Sequence, residues 1–560
     1  MDFYFTYPTA YFPRYYLRQS FFARRGQLPM RSAVSFSDKG PTHGLLKISV
    51  DWDEIGTIHV PYLHKSYGLT FFSTASLRPA QEPLNLVREL ARGQMARAAE
   101  VLYEWRLRGV TIPAKIEAAK RQALGRLAAL LVEDETAEGF DHQALALFDS
   151  LVSLNHYLID EFVEQFLAAR RYGVAPPAFL GFNARQTRLL NDYAESHPEY
   201  RHLFECWNPS LTWRDLEPTP GHYRWDKLDM AINEAQGQFW EMCLGPIVRW
   251  DRAWLPDWIV ERLDDPYTVR KALFRYAEQL IARYPKTAYW VVSSDVGSEL
   301  DSILVSKRIE WTDSLARQVR SVNPSAKALL MMERPWGDSL RFSSEVPPLE
   351  IGERLAPNRF IDGFLLDINI GLGHDASLPR DTFSLNTLLD KWSLLRKPFY
   401  VSLSIPSAPS NDIPDWKSEQ TSEPPWTPKT QQEMVHRFMM ALLSRRGFRG
   451  LFWNQLTDSG SARADDLLTG SEDTKRFAEL AAGSQTTLPR TPKDTSDQTT
   501  SVLGNSALGD HNQDGHATKI SLRGEEQPLN SLYPLSGLMT GGGEPKPAFK
   551  KIVAIQRAYM

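Results

Sequence analysis

The sequence predicts a (β/α)8 TIM barrel over residues 176–555, preceded by a small β-rich module at 1–80 and a layer of long helices at 81–175. Three observations predict it. Short apolar runs recur at 178–183, 203–207, 241–248, 288–293, 326–332, 361–367, 399–405 and 449–454, with helical stretches between most of them; eight such units favour a closed barrel over an open doubly wound sheet. Runs such as Ala328-Leu-Leu-Met-Met332 are apolar without alternation, as strands covered on both faces are. No glycine-rich dinucleotide or phosphate loop follows any of them, which argues against a nucleotide-binding sheet.

The first 80 or so residues are rich in aromatic and β-branched side chains, and 45–50 and 67–73 read as strands. Aromatic rings suit the apolar faces of sugars, so this module has a carbohydrate-binding reading. The alternative, which weighs more, is that Tyr11, Phe12, Tyr15, Tyr16, Phe21 and Phe22 cover the neighbouring layers. From Pro83 the period becomes helical. Leu84, Val87, Leu90, Met95 and Ala98 lead to Val101, Leu102 and Trp105, and Gly109 closes the run; Pro83 fits a first turn, where its missing amide proton costs nothing. A second helix is expected over 113–131 with Leu124, Leu127, Leu130 and Leu131 as its apolar stripe, weakened at Gly125 by about 1 kcal/mol relative to alanine. A third spans 141–171. Helices this long draw much of their stability from a tertiary partner. Late in the barrel, 483–526 is dense in Ser, Thr, Asp, Asn, Gly and Pro and is expected to be disordered. Order returns near Leu532, and a last helix starts near Pro547.

Bulk composition narrows the partners. The chain has 560 residues, 42% hydrophobic and 24% charged, with a formal net charge of −4. No basic tract marks a nucleic-acid partner, and no apolar run is long enough to cross a bilayer. The start lacks a basic region followed by a clean apolar stretch, so no signal peptide is expected; the location is cytoplasmic by default, with export by another route left open. Cys206 and Cys243 lie in apolar runs and read as buried free thiols. Histidines such as His202, His222 and His374 are scattered, with no His-Glu-x-x-His run. No catalytic metal or cofactor is expected, though loop carboxylates leave a structural calcium open. Oligomeric state is not encoded legibly.

In a barrel of this kind function gathers at the C-terminal strand ends. There the sequence places Asn208 and Trp213 after strand two, Arg249 and Trp250 after strand three, and Ser293, Ser294, Asp295 and Glu299 after strand four. Glu333 and Trp336 follow strand five, Asp367 and Asn369 strand six, Ser402 and Ser404 strand seven, and Trp453, Asn454 and Asp458 strand eight. Six tryptophans fall at strand ends: Trp207, Trp213, Trp250, Trp254, Trp336 and Trp453. Tryptophan stacks on flat apolar faces; interleaved with Asp, Asn and Arg it suits a carbohydrate cleft, with core packing as the plain alternative. Asp367 sits in an apolar strand, where burial can raise an acid's pKa.

Four segments in order then carry a resemblance: Trp213-Arg-Asp-Leu-Glu-Pro-Thr-Pro-Gly221, Tyr223-Arg-Trp-Asp226, Trp254-Leu-Pro-Asp-Trp258 and Tyr289-Trp-Val-Val292, with Gly537-Leu-Met539 and Glu544-Pro-Lys-Pro-Ala-Phe549 in the tail. Together, over about 178–555, they resemble glycoside hydrolase family 10, the endo-β-1,4-xylanases. The resemblance implies a xylan-like, β-linked glycan as ligand and retaining hydrolysis. One glutamate after strand four would be the acid/base and a second after strand seven the nucleophile. Retention needs two carboxyl groups about 5–5.5 Å apart.

Carried across, that pattern frays. The strand-four pair falls on Ser294 and Asp295, or on Ser293 and Ser294 in a slipped register. Asp295 is one methylene shorter than glutamate, and a misplacement of about 1 Å can cost about 10²-fold. The nucleophile falls on Leu403 or on Ser402, neither a carboxylate. The family's sugar clamp after strand two is replaced by Asn208-Pro-Ser-Leu-Thr-Trp213, and its strand-three histidine is missing from Gly245-Pro-Ile-Val-Arg-Trp250. Three readings follow. The first is a glycan-binding barrel with retaining hydrolysis weak or lost, substrate contacts being Asn208, Trp213, Arg249, Trp250, Trp336, Trp453 and Asn454. The second is an active glycosidase using Asp295 with a relocated Asp367 or Glu333; an inverting pair stands about 6.5–9.5 Å apart. The third is a scaffold without sugar chemistry.

Overall fold

The computed structural model describes residues 1–24, 26–80, 82–107, 109–171, 177–183, 203–209, 211–237, 240–300, 302–372, 376–408, 426–456, 458, 536–540 and 544–560. The segment 483–526, expected to be disordered, lies outside them, as do His202 and His374.

The first 85 residues form two four-stranded sheets. β1 (Asp2–Pro8), β4 (Ser32–Asp38), β5 (His43–Val50) and β8 (Leu84–Asn85) make one, in the order β4-β5-β1-β8; β2 (Phe21–Arg24), β3 (Leu28–Pro29), β6 (Thr57–His64) and β7 (Gly68–Ser73) make the other, in the order β3-β2-β6-β7. Strict in-out alternation in β5, with Leu46, Ile48 and Val50 buried, gives one sheet its dry face. Phe12, Tyr16, Phe21 and Phe22 are all buried, so these rings pack inward, and only Tyr11 of that group stands well exposed.

After the short α1 (Arg14–Leu17) within the sheets, three long helices follow: α2 (Leu86–Leu107), α3 (Ala114–Val132) and α4 (Phe140–Arg171). Helix α2 starts three residues later than Pro83 suggests. Leu84 and Asn85 are taken by the sheet, and the Asn85 side chain accepts the Arg88 N–H at 3.0 Å as a cap. The stripe of α3 is also shifted: Ile116, Ala123, Leu127 and Leu130 are buried, whereas Leu124 and Leu131 are about half exposed. Spacing alone cannot choose between two overlapping apolar faces; the docking of α3 on α4 does.

The barrel is closed, and all its pairs are parallel. Its strands are β9 (Phe179–Asn183), β10 (Cys206–Asn208), β11 (Glu241–Leu244) continued by β12 (Val248–Arg249), β13 (Tyr289–Ser294), β14 (Lys327–Glu333), β15 (Gly363–Asn369), β16 (Phe399–Ser404) and β17 (Phe448–Trp453). Both β11 and β12 pair with β13, so together they form one stave, and β17 pairs back to β9. Helices surround it. Inside, Cys206, Cys243, Val291, Leu329, Leu365, Tyr400 and Phe452 form a separate apolar plug; both cysteines are free and buried there.

The N-terminal layers grip the mouth of the barrel. The Phe71 N–H donates to Pro379 O at 3.0 Å, and Arg97 donates to Ser384 Oγ at 2.8 Å. Arg380 donates to buried Asp338 at 2.6 Å and lies within 6 Å of the Phe21, Phe71 and Trp336 rings. The loops after β14 and β15 are therefore held by the first 100 residues. No described helix is long and apolar enough to cross a membrane.

Candidate functional site

Each inward column of the barrel switches from hydrocarbon to polar at its C-terminal end. Phe179 and Gly181 lead to Asn183, Cys206 to Asn208, Leu329 and Met331 to Glu333, Leu365 to Asp367 and Tyr400 to Ser402. Asn183 and Asn208 are register partners, as are Glu333 and Asp367, and Asp367 and Ser402. Side chains in register on parallel neighbours share a face, so these groups form a polar layer over the apolar plug.

Asn454 is the hub of one half. Its amide donates to Asp367 Oδ1 at 3.2 Å and to Asn369 Oδ1, and its oxygen accepts from Asn183 and Ser402. Asn369 donates to Asp367 Oδ2 at 2.6 Å and accepts from Ser404 at 2.7 Å. Burial pushes the Asp367 acid above its ordinary value, against the Ser402 hydroxyl, these amides and the charge of Arg249, which pull it down.

The other half is ionic. Arg249 donates its Nε to Asp295 Oδ2 at 2.7 Å, and Arg334 donates to Asp295 Oδ1 at 3.4 Å. The Asp295 N–H donates to Glu333 Oε2 at 2.9 Å. Burial, reinforced by the Asp295 charge, raises Glu333 to about 8, with Arg249 pulling the other way. Burial opposes the Arg249 charge, yet Asp295, Glu333, Asp251 and Asp367 together hold its pKa above the ordinary value. Asp295 and Arg334 both adopt left-handed backbone, with φ of 51° and 44°. Two such non-glycine residues, directly after adjacent strands, place backbone strain of roughly 1–3 kcal/mol each at the mouth.

Several expectations are corrected. Leu403 does not occupy the axis: it is wholly buried in the outer core, level with Ile368 and Trp453, and the inward strand-seven residue is Ser402. A register shift in β13 between Val291 and Ser293 has the same kind of effect. Val291 points into the plug, Ser293 takes the Trp250 N–H at 3.0 Å on the outer side, and Ser294 returns inward beside Glu333. Asp295, expected to offer a proton, has both oxygens taken by guanidinium donors.

The tryptophans are corrected most. Trp213, Trp250 and Trp453 are 2%, 0% and 0% exposed and do not line a groove. Trp213 stacks on Tyr276 at 5.1 Å and donates to Glu217 Oε2 at 2.9 Å. Trp250 packs against Trp311, and Trp453 donates to Ser536 O at 3.2 Å. Trp207 is equally enclosed. Trp254, beneath Arg249, and Trp336, beside Arg380, keep partial exposure. Glu299 accepts the Ser344 N–H, and Asp458 accepts from Lys546 Nζ at 2.7 Å and the Gly537 N–H at 3.0 Å, so both are spent on structure. Sequence reasoning missed Arg334 as the second clamp on Asp295 and Asn183 as a member of the polar layer. The signal for Asn183 was present: it is the polar residue that ends an apolar strand.

No protein-family model matches the sequence, and no curated protein does. Among solved structures the chain is similar to xylanase 10B from Thermotoga maritima, at 14% identity, covering 70% of this chain and 97% of that one with a TM-score of 0.43. It is similar to xylanase 10B from Thermotoga petrophila RKU-1 in complex with xylobiose, at 15% identity, 71% and 96% coverage and a TM-score of 0.42. It is also similar to a GH10 xylanase of Thermobacillus composti, at 13% identity, 67% and 96% coverage and a TM-score of 0.40.

Proposed function

We propose that this chain is a glycan-binding barrel of family-10-like descent that does not carry out retaining hydrolysis through strand ends four and seven. The observation that carries the second half is the state of those two ends: Asp295 is clamped by Arg249 and Arg334, and the inward group opposite is the Ser402 hydroxyl. A retaining site needs two carboxyl groups, one to protonate and one to attack, and a serine hydroxyl tied into an amide network is a poor nucleophile. The first half rests on the motifs in the sequence and on the polar layer itself. Asn183, Asn208, Asn369, Asn454, Asp367 and Ser402 offer paired donors and acceptors of the kind that match sugar hydroxyls. Calorimetry with xylo-, cello- and manno-oligosaccharides is the test: binding without release of reducing ends is expected, and no binding to any of the three would overturn the reading.

One observation favours a second reading. Glu333 and Asp367 are register neighbours, and both acids are raised, so a proton donor is available beside a second carboxyl group. In that reading hydrolysis proceeds with Glu333 as the acid, and it ceases in both Glu333→Gln and Asp367→Asn.

A further inference from the structure

Arg249 presents a fixed guanidinium fork at the barrel mouth. Its Nε is committed to Asp295 at 2.7 Å, and its guanidinium carbon lies 4.5 Å from the centroid of the Trp254 ring. Those two contacts fix the plane of the group. Among the described residues its two Nη groups make no hydrogen bond, while the side chain keeps 18% exposure. In register with Ser294, it stands on the inward face of its stave, and its charge is felt as far round the mouth as Asp367. Beside it, the buried Ser294 Oγ and Glu333 carboxyl group face each other, and among the described residues neither Ser294 Oγ nor Glu333 Oε1 has another hydrogen-bond partner. A planar fork held rigid, with two outward donors and a buried hydroxyl and carboxyl group next to it, matches a carboxylate rather than a hydroxyl.

We propose that Arg249 makes this mouth selective for carboxylated sugars, its two Nη donors gripping the carboxylate of a uronic-acid residue in a β-linked glycan, with Glu333 and Ser294 completing the contact. The inference rests on the glycan-binding reading above and names its substrate class. Glu333 kept protonated by burial adds a donor instead of a repelling charge, so the preference should fade as pH rises through about 8.

The probes are a β-1,4-linked glucuronic acid tetramer and cellotetraose, which share length and linkage and differ in carboxylate against hydroxymethyl. Calorimetry at pH 6.5 should show the acidic tetramer binding about tenfold or more tighter, about 1.4 kcal/mol. In Arg249→Gln the ratio of the two affinities should fall to near one. Arg249→Lys keeps a cation opposite Asp295 and loses the fork, so it too should lose most of the ratio; it serves if the glutamine variant does not fold. Equal affinities in the unaltered protein, or a preference surviving in the folded variants, would overturn the inference while leaving the glycan reading standing. Binding of neither tetramer, nor of the neutral oligosaccharides above, would overturn both.

Discussion

Glu333 offers the sharpest test of the site's electrostatics. Its carboxyl group is about nine-tenths buried and shares the Asp295 N–H, and its acidity moves from an ordinary 4.5 to about 8. In the unfolded chain it ionises near 4.5, while in the folded chain it holds its proton to about 8. Between those values the folded state binds more protons, so its contribution to stability falls as pH rises, at up to about 1.4 kcal/mol per pH unit. Over the window that is of order 5 kcal/mol as a ceiling. Above pH 8 both states are ionised and the loss is complete. Glu333→Gln cannot ionise and keeps an oxygen for the Asp295 N–H. The midpoint of thermal unfolding, measured for both proteins from pH 5 to 9, should therefore diverge in favour of the variant as pH rises, with the gap levelling near pH 8 to 9. Isotope-edited infrared spectra at pH 7 should show a protonated carboxyl band that Glu333→Gln lacks. A gap that stays constant from pH 5 to 9, with no such band, would refute the burial argument and with it the available proton donor of the second functional reading.

Two further perturbations probe the scaffold. Glu217, fully buried, accepts from Trp213 Nε1, the Gly221 N–H and Arg275; Glu217→Ala should cost roughly 3–5 kcal/mol by orphaning those donors, read as a fall in unfolding midpoint, with Glu217→Gln costing less. A Cβ on Gly93 would stand 2.0 Å from the Ser73 carbonyl oxygen and 2.6 Å from a Thr74 backbone carbon. The gain of about 1 kcal/mol in helix propensity from Gly93→Ala is therefore expected to lose to overpacking against unyielding backbone, roughly 1–3 kcal/mol or more, and a stabilised variant would contradict that contact.

What was legible in the sequence follows from how local each feature is. The barrel strands were placed to within about three residues because a doubly covered strand must be apolar along its length, and Val291 or Leu329 carries that signal unaided. Which side chains reach the axis was harder to read. The bulge at Val291–Ser293 shifts the inward phase of β13 within one strand, and a period-two pattern made of Val and Ser on both faces does not announce it. Trp250 and Trp453 stand at strand ends like ligand platforms, yet an indole N–H is satisfied equally by Ser293 Oγ or Ser536 O as by a sugar; composition cannot distinguish the two. Arg334 was invisible as a partner of Asp295 because its reach depends on a left-handed turn that no glycine marks.

The resemblance and the altered chemistry are two sides of one arrangement. Nearly every residue that carries the likeness is spent on packing. Glu217 binds the indole of Trp213 and the turn at Gly221, its carbonyl takes the Trp258 N–H at 3.0 Å, and Arg214 ties the same loop to Asp257 at 2.7 Å. The tail does the same at the opposite seam, where Met539 donates to Leu456 O and Lys546 to Asp458 and Ser407. Such contacts answer only to stability, because each buried partner lost exposes another. On the glycan-binding reading the inward polar layer answers to a ligand instead, and its groups are not the two carboxylates that retention needs. On that reading the fasteners hold the scaffold, while an arginine fork and an amide network stand where retention would need two carboxylates. That arrangement is the one expected of a barrel whose mouth holds a charged glycan without cleaving it by retention.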